Sequence, residues 1–203
     1  NQGNEMLKFV RNIASYLLLS SVISVPAVAA GSLTYDYIGA SYSRLLPKEG
    51  SLEPFGVTYE AGYQISEYFY VAAAHSRLAD NLNDYELKLR ETELILGLRL
   101  PTGAATDLFV ELGYLEQQAI ETGWRVRNDI TAEGWMAKTG LNHALSERVE
   151  LSIYLNHQNN DFDRVTAFGI NSRLHFTQAF QLVIGFDADP DNRRGKVGLH
   201  YAF

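Results

Sequence analysis

The sequence has no cysteine, which excludes a disulfide framework and a thiolate metal site. It has no excess of basic residues. The formal net charge is −7, and an acidic surface argues against a nucleic-acid partner. Beyond residue 30 it has no apolar run near the roughly 20 residues that a membrane-spanning helix needs. A sustained helical period is also missing, so long helices are not expected. What remains is a chain with 16 glycines and 12 tyrosines, punctuated at short intervals by Gly, Asn and Asp. That composition reads as all-β, and no motif in it asks for a cofactor.

The amino-terminal segment is of another kind. Lys8 and Arg11 precede an apolar stretch from Leu17 to Val25, and Ala27, Val28, Ala29 and Ala30 follow Pro26. This order describes a cleavable signal peptide over residues 6–30, too short and too rich in serine to anchor the chain. Residues 1–5 carry no basic n-region character; Met6 is the expected start and the residues before it an upstream artefact. Residues 31–203 are then one folded domain.

Within that domain, apolar residues recur at every second position. Phe55, Val57, Tyr59, Ala61 and Tyr63 alternate with Gly56, Thr58, Glu60, Gly62 and Gln64. Leu94, Leu96, Leu98 and Leu100 alternate with Glu93, Ile95, Gly97 and Arg99. The same pattern runs through 108–114, 135–142, 149–156, 166–173 and 180–187, and ends in "KVGLHYAF". The segment 69–75 has no clear facing. The count is about ten strands, with eight as the alternative, and an even number suits a single-chain up-and-down β-barrel of the outer membrane. Connections such as "SE" and "HFTQ" are short. "RLLPKEGSLE", "RLADNLNDYE" and "AIETGWRVRNDIT" read as longer loops at the opposite end, an asymmetry of transmembrane barrels.

One face of these strands carries almost only apolar and ring residues; the other carries glycine, small polar residues and charges. A soluble lipocalin-like barrel would turn the apolar face inward, where a tight radius leaves little room for bulky side chains. The apolar face is therefore expected to meet lipid. Glu60, Glu93, Glu111 and Glu150 are expected in the lumen with Arg99, Lys138, Arg173 and Lys196, as ion pairs and water sites. Ring and aliphatic residues Val197, Leu199, Tyr201 and Phe203 line the outer face of the last strand.

Quoted as they stand, "YDYIGASYS", "GYQISEYFYVAAAHS", "GLRLPTGAATDLFVELGYL", "ALSERVELSIYL" and "GLHYAF" resemble small porin-like outer-membrane β-barrel proteins of Gram-negative bacteria, across the whole of residues 31–203. The resemblance implies an integral outer-membrane protein that reaches its site through the periplasm. It also implies that Val197, Leu199, Tyr201 and Phe203 form a signal read by the barrel-assembly machinery. It carries over no catalytic residue.

The expected function is a barrel of narrow bore, structural or passing small solutes slowly, with outer-membrane lipid as its surroundings. A surface receptor or adhesin acting through its loops, Trp124 among them, is the alternative from the binding class. A lipid hydrolase is the alternative from the enzyme class. His75 and Ser76 are its nearest candidates, but adjacent strand residues point to opposite faces, and His157 has no serine beside it. Asp187, Asp189 and Asp191 begin like a calcium loop, yet Asn192 and Gly198 stand where that loop needs Gly and Glu. No enzyme activity and no metal site are therefore expected.

Overall fold

The computed structural model describes Leu33, residues 35–123 and residues 126–203. The proposed leader, residues 1–5 and Trp124 lie outside the described residues. Ten antiparallel strands close into one barrel, each paired with its neighbour in sequence and β1 with β10. They are β1 (Tyr37–Pro47), β2 (Phe55–Gln64), β3 (Phe69–Leu82), β4 (Tyr85–Gly103), β5 (Thr106–Gly123), β6 (Val126–Ser146), β7 (Val149–Asn160), β8 (Arg164–His175), β9 (Phe180–Ala188) and β10 (Asn192–Ala202). No helix occurs among the described residues. Closure runs in register from Tyr37 opposite Ala202 to Pro47 opposite Asn192, so neither strand keeps a free edge where lipid could not satisfy it.

The alternation in the sequence is the alternation in space. Leu96, Leu112, Leu155, Ile184 and Leu199 are 54%, 61%, 52%, 53% and 56% exposed, the reverse of a water-soluble core. They form an outward band, with rings near its two ends: Tyr42 and Phe55 at one, Phe180 and Tyr201 at the other. Strand β3 resolves the same way, with Tyr70, Ser76 and Leu78 buried inside and Phe69 and Val71 exposed outside.

The loops differ from expectation. "RLADNLNDYE" and "AIETGWRVRNDIT" are mostly strand. Residues Asn83 and Asp84 alone separate β3 from β4, with Asn83 at φ 54°, a left-handed conformation that asparagine tolerates. Strands β4, β5 and β6 have 19, 18 and 21 residues, against the roughly 9–11 that cross a membrane. Their excess stands above the band as a wall.

Polarity inverts in that wall. Within the band the outward rung Val71, Leu96, Leu112 and Ala137 is apolar. Higher up, the outward rung is Arg77, Arg90, Gln118 and Thr131, while the inward rung is Leu78, Leu89, Ala119 and Ile130. The lipid boundary therefore falls between these rungs, and the wall turns its apolar side over the mouth of the barrel.

A charge-paired lumen as the candidate functional site

The lumen charges expected from the alternation all face inward, and all but Glu93 have a partner. Glu111 and Lys138 sit directly opposite on β5 and β6, with 3.0 Å between Glu111 Oε2 and Lys138 Nζ. Glu150 and Arg173 are opposite on β7 and β8 and 3.1 Å apart; His175 Nε2 reaches the other Glu150 oxygen at 2.8 Å. Cross-strand register alone brings these pairs together.

Glu60 needs more than register, because its partners are two strands away. Its Oε1 takes Lys196 Nζ at 2.6 Å and its Oε2 lies 2.8 Å from His200 Nε2. Gly39 of β1 sits between them, opposite Glu60 on one side and His200 on the other. A methyl group there would overlap the His200 ring, so the missing side chain lets the two meet. Tyr37 stacks on His200 at 4.6 Å.

Arg99 works at the end of the barrel opposite the wall, here the floor. It pairs with Asp107 at 2.9 Å and lies 4.8 Å above the ring of Tyr35. Tyr35 precedes the first strand and crosses the floor, only 4% exposed. Its hydroxyl donates to Asp107 Oδ2 at 3.1 Å and accepts from Asn142 Nδ2 at 2.9 Å. Leu33, Tyr70 and Ala144 complete a small apolar cluster around it. Nearer the mouth, Arg194 meets Glu91 at 2.7 Å, and the Tyr154 hydroxyl donates to Asp187 at 2.5 Å.

Two cavities remain among these groups. The upper, about 380 Å³, reaches the mouth; the lower, about 110 Å³, lies above the floor. Glu60, Glu93, Lys138, Tyr154 and Lys196 line both and form the layer between them.

Asp107, Glu91, Arg194, His175 and His200 were not anticipated as lumen groups. Each lies an even number of residues from an expected one on the same strand, so extending the alternation would have found them. Tyr35 gives no such signal, since it belongs to no strand. The other candidates are placed plainly. His75 Nδ1 is 3.0 Å from Thr92 Oγ1 and Ser76 Oγ is 2.9 Å from Thr58 Oγ1, on opposite faces of β3. His157 hydrogen-bonds Thr166 at 2.8 Å. Asp189 Oδ1 accepts the backbone N–H groups of Asp191 and Asn192 at 2.7 Å each, which makes it a turn-forming side chain. Val197, Leu199, Tyr201 and Phe203 all point outward and are 47%, 56%, 43% and 62% exposed.

Comparison with known proteins adds the following. The family model described as outer membrane protein beta-barrel domain matches residues 15–203. No curated protein matches the chain. Among solved structures, the beta domain of the Bordetella autotransporter Brka is similar at a TM-score of 0.51 and 10% identity, over 82% of this chain and 98% of that one. Ail, the attachment invasion locus protein of Yersinia pestis, gives 0.47 and 11% over 82% and 95%. The N-terminal beta-barrel domain of Pseudomonas aeruginosa OprF gives 0.47 and 11% over 83% and 98%.

Proposed function

Because the chain belongs to the outer membrane protein beta-barrel domain family, and so resides in the bacterial outer membrane, we propose that it is a narrow-bore barrel closed at its periplasmic floor. It acts as a structural element of the envelope and passes small solutes only slowly. The end opposite the extended strands β3 to β6 is the periplasmic one, since the extracellular hairpins of such barrels are the longer. The observation that carries this reading is Tyr35, held across the floor by Asp107 and Asn142 beneath Arg99. Ion pairing of the lumen supports it, because each expected cation is matched by a carboxylate. No catalytic step enters the reading, and lipid is its standing partner. During biogenesis the outward residues Val197, Leu199, Tyr201 and Phe203 are read by the barrel-assembly machinery.

Single-channel recording of the refolded full chain tests the reading. The parent is expected to show small, infrequent currents, and Tyr35→Ala larger ones. A parent that conducts strongly and is unchanged by Tyr35→Ala would replace the closed barrel with a diffusion channel. The wall of β3 to β6 above the lipid band favours one second reading, a surface receptor or adhesin. Loss of cell-surface ligand binding on shortening the β3–β4 and β5–β6 hairpins, with conductance unchanged, would support it.

A further inference from the structure

The upper cavity is amphipathic in a way the closed barrel does not need. Its lining carries an apolar patch, Leu78, Leu89 and Ala119, with Leu45, Phe162 and Val165 elsewhere, among polar groups that include Gln158, Asn160, Asp163, Asp189 and Asp191. Deeper in, the lining includes Glu93.

Glu93 has no hydrogen bond or ion pair among the described residues. The charges that act on it are Glu91, Lys138, Arg194 and Glu111. Lys138 is engaged by Glu111 at 3.0 Å and Arg194 by Glu91 at 2.7 Å. Glu111 and Glu91 thus occupy both cations, and Glu93 is left on the cavity wall without a partner of its own. Asn156 Oδ1 and Asn171 Oδ1 belong to the same lining, buried and without a donor among the described residues. A buried charge without a partner and buried acceptors without donors are both costly. The complement to this set is a single positive charge with several N–H donors, carried on an apolar body that the upper wall can cover. A volume of about 380 Å³ falls within the roughly 300–1,000 Å³ of small-molecule sites.

We propose that this cavity binds small amphipathic ammonium compounds, with the ammonium on Glu93 and the apolar body against Leu78, Leu89 and Ala119. The proposal rests on the lumen being closed below, since an open channel would let such a cation through.

The test is calorimetric titration of the full chain in lipid nanodiscs, with empty nanodiscs subtracted. Phenethylammonium is compared with phenethyl alcohol and with 3-phenylpropionate. Phenethylammonium is expected to bind saturably at one site. The alcohol should bind about tenfold more weakly or worse, as befits the loss of a charge-assisted hydrogen bond, and the anion should not bind. Glu93→Gln should bring the ammonium down to the level of the alcohol, while Leu89→Ser should weaken both. The comparison of the three probes on the parent protein stands even where a variant fails to fold. Equal binding of ammonium and alcohol, or no saturable binding, would overturn the proposal. So would an unchanged affinity in folded Glu93→Gln, which would mean that the carboxyl is a neutral acid. Conductance separates the two levels: a strongly conducting parent sinks the closed barrel, whereas a quiet parent that binds no ammonium sinks only the site.

Discussion

Asp107 Oδ2 is shared by two groups at the floor of the barrel, Arg99 Nη2 at 2.9 Å and the Tyr35 hydroxyl at 3.1 Å. The Asp107 side chain is 3% exposed and that of Arg99 16%, so the pair is desolvated. Removing one partner leaves the other charge buried, which costs about 3–5 kcal/mol. Arg99→Ala should therefore lower stability by about that amount in urea titrations of the folded barrel. Tyr35→Phe, which keeps the ring but loses a hydrogen bond to the Asp107 carboxylate and one from Asn142, should cost about 2 kcal/mol. Equal losses would mean that water reaches the floor.

The lipid face is tested at Leu112, 61% exposed in the middle of the band. Leu112→Arg should cost about 2–4 kcal/mol, the range for arginine at the bilayer midplane. The adjacent Gly113 is a poor control, because a Cβ there would lie 2.7 Å from the backbone oxygen of Leu94. Gly195, with open space around it, is the better one, and Gly195→Ala should leave the heat-dependent gel shift of the folded barrel unchanged.

Gly39 is expected to be intolerant for a different reason. Gly39→Ala would push the His200 ring off Glu60, an overpacking that typically costs about 1–3 kcal/mol. The pairing of Glu60 with Lys196 lies on the far side and should survive. Unfolding of Gly39→Ala alone and combined with His200→Ala distinguishes the two: the second substitution should remove the part of the cost due to the ring and leave the part due to the Leu199 carbonyl, 2.7 Å from the new Cβ, and simple additivity would place the whole conflict at the backbone.

Strand β6 should exchange its amide hydrogens unevenly. Residues 134–143 pair with both β5 and β7, whereas 126–132 pair with β5 alone. The upper segment should lose protection well before the lower one in hydrogen exchange, since a one-sided edge opens at lower cost. Uniform protection would imply that something covers that edge.

Much of this was legible in the sequence because period-two alternation reports facing directly. Ten strands, the lipid band and the inward facing of the expected lumen charges all follow from it. The wall of β3 to β6 was legible too, but only by noticing a change of phase. In β4 the apolar positions move from Leu87 and Leu89 to Leu94, Leu96, Leu98 and Leu100, odd to even, and the step marks where lipid ends. Reading the polar upper part as loop missed it, since polarity was taken for lack of structure. Tyr35 could not be found this way. Its place depends on contacts with Asp107 and Asn142, 72 and 107 residues away, and no local pattern encodes them. The pairing of Glu60 with His200 is of the same kind, set by what Gly39 lacks.

The unequal strand lengths have one more consequence. With β4 to β6 at 18–21 residues and β7 to β10 at 9–12, the rim is cut obliquely, like the lip of a scoop. Its low side faces along the membrane plane. Compounds gathered in the headgroup layer meet the opening before those dispersed in the medium. How fast a compound reaches the cavity is then governed by how strongly it partitions to the cell surface, and two compounds of equal affinity would load it at rates in the order of their partition coefficients.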